Sequence, residues 1–180
     1  PWAKKLLKFI TTRPMLFPVV FWIMLALEER SLDISHRTLH LDEDTIEPRY
    51  RMIYREHLKD EARHVQLDWH LIERFYVPRR SSVRKVNAWL LKQMLGRFFL
   101  PPTRSAVRVV QYLAKEDAWL LSQLPEIKRQ LKQVGLNPNY YEMMYSRKTT
   151  PILFSLFDRF PELQIMQKVL KSYTPHGQEG

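Results

Sequence analysis

Glu56-His57-Leu58-Lys59-Asp60-Glu61-Ala62-Arg63-His64 is the stretch that decides how this chain folds. His57, Glu61 and His64 stand at i, i+4 and i+7, so on an α-helix all three project from one face over two turns. Glu61 and His64 alone make a Glu-x-x-His pair. In helical bundles that hold two metal ions, such a pair sends one carboxylate and one imidazole into the bundle from a single helix. Carboxylate oxygen and imidazole nitrogen suit iron or manganese and leave coordination positions open for dioxygen. A lone Glu-x-x-His is a common solvated pair. A third donor in phase, in a region holding five of the six histidines (positions 36 to 70), sets this one apart.

Working outward, the helix carrying the motif is expected from about Thr45 to Tyr76, where Val77-Pro78 stops it. Asp44 or Thr45 can cap it, Glu47 sits at the capping-box spacing from Asp44, and Pro48 is tolerated in a first turn. The acidic turn Leu41-Asp42-Glu43-Asp44-Thr45 joins it to an earlier helix, from about Leu16 or Pro18 to His40, whose first half is almost wholly apolar. So short a turn makes the pair antiparallel. Glu28 is twelve residues before His40, and His57 twelve after Thr45, which sets Glu28 and His57 at one height. Glu28 and Glu29 both qualify as the carboxylate from this helix. Glu29 heads a polar stripe with Asp33, His36 and His40, whereas Glu28 follows the apolar stripe Phe21, Met24 and Leu25. Glu28 is preferred, because a buried carboxylate is costly without a partner such as a metal. Asp60, His36 and Asp33 are candidates to support the ligands from behind, since metal-bound imidazoles donate their second N–H to a carboxylate or carbonyl. His70 is out of phase and is expected to be structural. Tyr50 and Tyr54 share the His57 face, as pocket lining or as core.

The rest of the sequence reads as packing helices: a short piece over residues 3–10, then 83–99, from Thr103 to about 121, 125–134 ending at Gly135, and pieces over 140–146, 151–160 and 161–173. Residues 14–77 form the candidate metal hairpin, 78–173 the packing region and 174–180 a frayed tail that includes His176. The 180 residues are 45% hydrophobic, with four glycines and many good helix formers, which supports one all-α domain. The absence of cysteine excludes disulfides, thiolate zinc sites and thiol nucleophiles, and fits a cytoplasmic protein. A net charge of +10 is spread between apolar positions with no run of basic residues, and no nucleic-acid motif accompanies it. The most apolar stretch, Phe17 to Leu27, has eleven residues against the ~20 of a bilayer span. Lys4–Phe9 has the pattern of a membrane-surface helix, as a minor alternative.

With these residues in view, the chain resembles the p-aminobenzoate N-oxygenase-like diiron proteins of the ferritin-like superfamily. Their hallmark is an extra histidine one turn before the second Glu-x-x-His, here His57 before Glu61 and His64, with an upstream glutamate matching Glu28 or Glu29. The resemblance implies a ferritin-like helical bundle, two iron ions (or manganese) ligated by Glu28, His57, Glu61 and His64, a small-molecule substrate, and transfer of oxygen from dioxygen to an amine nitrogen. It is specific over residues 28–64 and vague beyond Tyr76. The family also takes a glutamate and a first Glu-x-x-His from two earlier helices, which this sequence does not hold. The expectation is therefore that the chain is the C-terminal portion of a longer protein, or that a second subunit in a homo-oligomer completes the bundle. Two rivals from other classes are a non-enzymatic helical interaction protein with a buried polar network, and a basic nucleic-acid-binding bundle.

Overall fold

Proline sets most of the element boundaries. The computed structural model describes residues 2–41, 45–100 and 102–175, and in it α2 (Pro18–Leu41), α3 (Pro48–Phe75), α5 (Pro102–Leu113), α7 (Pro138–Met144) and α8 (Pro151–Arg159) each begin on a proline. At that position the missing N–H has no intrahelical acceptor to lose, and the fixed φ already suits a helix. The other helices are α1 (Trp2–Thr11), α4 (Ser81–Met94) and α6 (Ala118–Val134). A π-helical turn, Leu95–Phe99, continues α4, and a 3-10 stretch, Pro161–Lys168, follows α8. The protein is all-α, with no strand among the described residues. No helix among them is long and apolar enough to cross a membrane.

The core gathers where the apolar half of α2 meets the end of α3, α4 and α8. Trp22 stands edge-on to Tyr76, with ring centres 5.1 Å apart, and Tyr76 stands edge-on to Phe160 at 5.4 Å. Leu25, Leu91, Leu153, Phe157 and Leu163 are fully buried around them. Burying each such side chain contributes roughly 1.5–3 kcal/mol. One polar group enters this core with its partners. The Tyr76 hydroxyl donates to Glu162 Oε1 at 3.0 Å, and Arg84 Nε pairs with the same oxygen at 2.6 Å. Burial and the neighbouring carboxylate push the tyrosine hydroxyl well above its usual range, so it stays a donor.

Several sequence expectations need correction. Glu47 occupies the cap position of α3 without a side-chain cap bond, and Asp44, the other member of the expected capping box, lies outside the described residues. Thr103 follows Pro102, the first residue of α5. The next break falls at residues 114–117 instead of at Pro125, because Asp117 accepts the Leu120 N–H at 3.0 Å and starts α6 there. Pro125 is then carried inside α6. Gly135 closes α6 in a right-handed conformation, with φ −66°, not as a left-handed terminator. The last piece is 3-10 and ends at Lys168, short of Tyr173. The π turn was not foreseen; in it the Leu100 N–H reaches back to Leu95 O at 3.0 Å. Its Gly96 lets the chain come close, since a Cβ there would meet Val169 Cγ1 at 3.0 Å.

Candidate metal centre

α2 and α3 lie antiparallel, and three cross-helix contacts fix their register. Ser31 Oγ donates to Glu61 Oε1 at 3.0 Å and lies 3.2 Å from His57 Nε2, while His64 Nδ1 lies 3.4 Å from Glu28 Oε2. Glu28 is thus level with Glu61 and His64, one to two turns from the expected His57. The cause is the later start of α3. Glu28 is thirteen residues before Leu41, and Glu61 is thirteen after Pro48.

Glu28, Glu61 and His64 each offer a donor atom, and the three atoms lie within 4.8 Å of one another. Glu61 is the buried member. Its Oε1 receives Ser31 and stands 3.0 Å from His57 Nε2. Its Oε2 is fully shielded with no hydrogen-bond partner, 3.7 Å from His64 Nδ1. The Glu28 side chain is largely covered, whereas those of His57 and His64 are 46% and 55% exposed. Anionic oxygens therefore line the floor and imidazoles the rim.

The neighbouring glutamate does something else. Glu29 is buried, and its two oxygens accept the backbone N–H groups of Ile152 at 2.6 Å and Leu153 at 2.9 Å, at the first turn of α8. These are donors that a helix N-terminus leaves without intrahelical partners. Burial still dominates over the two hydrogen bonds and pushes the Glu29 carboxyl up to about 7. Asp33 pairs with Arg37 at 2.5 Å, and His36 packs against His40 with ring centres 4.2 Å apart. Asp33 and His36 line a cleft of about 490 Å³ with Glu29, Leu58, Ala62 and Ile152, and none of Glu28, Glu61 and His64 lines it. Asp60 is exposed and pairs with Arg63 at 3.0 Å on its own helix. Tyr50 and His70 are exposed and Tyr54 half-buried, so neither Tyr50 nor His70 is a core residue. His176 lies outside the described residues.

Two polar residues at this seam escaped the sequence reading. Ser31 is three residues after Glu28 and shares its face, a spacing that pointed to it. Asp68 is seven residues after Glu61 and is buried beside it on α3, with Oδ2 shielded and unpartnered. Burial first, then the Glu28 charge, push the Asp68 carboxyl up to about 6, with His64 pulling the other way.

A buried, unpartnered carboxylate oxygen facing a second carboxylate and an imidazole fits a divalent cation better than it fits a solvated pair, because oxygen and imidazole donors suit iron and manganese. An all-helical fold with such a face belongs to the ferritin-like class of bundle. Within that class, the chain is a member of the P-aminobenzoate N-oxygenase AurF family, whose model matches residues 1–135. This is a family of diiron enzymes. No curated protein and no solved structure matches the chain.

Proposed function

We propose that this chain carries part of the metal centre of a non-haem diiron oxygenase that acts on a small-molecule amine. The observation carrying this reading is the convergence of Glu28, Glu61 and His64 within 4.8 Å around a shielded Glu61 oxygen that has no partner. Family membership supplies the reaction class. Glu28, Glu61, His64 and His57 are the side chains that would hold the metal, with iron favoured and manganese compatible. When bound, iron would supply the redox chemistry that reduces dioxygen and delivers an oxygen atom to nitrogen. The remaining donors would come from helices outside this hairpin, in the same chain or a second subunit.

This chain's own residues have definable tasks. Glu61, seated on the floor, sets the position of the site. Ser31 holds Glu61 Oε1, which leaves Oε2 turned toward His64. His57 would ligate through a ring nitrogen that bears no proton, so turning the ring or moving its proton to the other nitrogen would free it for the metal. Anaerobic titration of the intact protein with ferrous iron tests the reading. Stoichiometric uptake is expected, and absence of uptake would exclude an oxygenase centre.

A further inference from the structure

We propose that Asp68 belongs to the metal centre as an additional anionic side chain, a positioning residue that holds charge against Glu28 and His64 from the next turn of α3. It takes this role only if the Glu28–Glu61–His64 group binds metal as proposed above.

The buried face of α3 consists of Glu61, Val65, Asp68 and Ile72, so half of it is carboxylate. Interior carboxylates are costly unless paired or bound to a cation. Glu61 has Ser31 and His57 beside it. Asp68 has no such company: it is 6% exposed, its Oδ2 is shielded without a partner, and no cation pairs with it among the described residues. Asp68 lies far from both ends of α3, so it caps nothing. It lies on α3 one turn beyond His64, whose Nδ1 stands 3.4 Å from Glu28 Oε2 across the seam, so both groups lie on the side it faces along the helix. His64 stands four residues earlier, the spacing of neighbours on a helix surface.

Without metal, then, Glu61 faces His57 and His64, Glu28 faces His64, and Asp68 is buried one turn beyond His64 on the same helix. A divalent cation supplies the missing positive charge and gives Asp68 a reason to be buried. Asp68 is not among the donor atoms that lie within 4.8 Å of one another, so its action is on the cation's field and on His64, not as a member of that group.

The test is anaerobic titration of the intact wild type, Asp68→Asn and Asp68→Glu proteins with manganese(II), followed by calorimetry, together with urea unfolding of each in chelator. Wild type is expected to bind. Asp68→Asn is expected to bind about 10-fold or more weakly, as changes beside metal ligands do, while its metal-free unfolding midpoint rises because an unpaired buried charge has gone. Asp68→Glu, which keeps the charge, should bind more tightly than Asp68→Asn. Equal affinity of Asp68→Asn and wild type overturns the role of Asp68 alone. A wild type that binds neither manganese(II) nor ferrous iron overturns both this role and the metal centre. Weaker binding with a lowered metal-free midpoint, in both variants, makes Asp68 a packing residue and overturns its role at the centre.

Discussion

Adjacent residues on a helix point about 100° apart and so can meet different neighbours: Glu28 faces His64, whereas Glu29 holds the first turn of α8. Replacing Glu28 by Ala is expected to lower iron occupancy in an anaerobic titration with little change in the metal-free unfolding midpoint. Replacing Glu29 by Ala should do the reverse, leaving two N–H groups of α8 without acceptors and destabilising the fold by about 1–3 kcal/mol in urea unfolding. A Glu28 variant that unfolds easily yet binds iron normally would contradict this division. His57, half-exposed on the rim, gives a cleaner case: His57→Ala should reduce iron occupancy without altering metal-free stability, and unchanged binding would remove it from the ligands. The His57, Glu61 and His64 face was legible in the sequence because helical phase depends only on spacing. Which glutamate faces that group was not, since the two stripes on α2 differ by one residue, and the carboxylate that α8 needs is more than a hundred residues away in sequence.

Elements with strong stops were legible, and those with interchangeable stops were not. Pro18, Pro48 and Val77-Pro78 bound α2 and α3 near the expected positions. The later start of α3 at Pro48 and the later end of α2 at Leu41 look small, yet together they bring Glu28 level with Glu61 and His64 instead of His57, because antiparallel helices convert an end shift into a register shift. In the region after Pro102, both Asp117 and Pro125 could open a helix; the side-chain cap at Asp117 prevailed and Pro125 was absorbed. Packing between elements is where a single polar link should matter most. Arg84→Ala would leave Glu162, only 5% exposed in its side chain, with the Tyr76 hydroxyl alone. A loss of about 3 kcal/mol is expected for breaking such a pair, measured by urea unfolding. A loss under ~0.5 kcal/mol would show that water reaches Glu162 readily.

For the whole molecule, the raised carboxyls predict how stability responds to pH. Glu29 is lifted from 4.5 to about 7 and Asp68 from 3.8 to about 6. A group that binds its proton more tightly when folded stabilises the fold fully below its unfolded value, and that contribution fades as pH rises through the folded value. The metal-free protein should therefore lose the contribution of these two groups between about pH 4 and 7. In urea unfolding at pH 5 and pH 8, Glu29→Gln and Asp68→Asn should each flatten the difference, and an unchanged difference would refute the assignment. Ferrous iron, binding the folded state, should raise the melting temperature with concentration. That the fold is all-helical, and that no helix among the described residues is long and apolar enough to cross a membrane, was legible from composition and the length of the apolar run. The π turn was not, and the close approach of Gly96 to Val169 beside it is a contact made only after the chain has returned from the far end of the sequence.

The grip of Glu29 on the first turn of α8 has one more consequence. Glu28 and Glu29 share a peptide bond, so the rigid turn of α2 that presents Glu28 to the metal group is bolted from behind to another helix. Rotating α2 to carry Glu28 inward would tear Glu29 from both N–H groups at once. The clamp is a mechanical backstop: it leaves Glu28 free to swing about its own side-chain bonds while the helix beneath it stays still, so any movement of its carboxylate relative to Glu61 and His64 would come from the side chain.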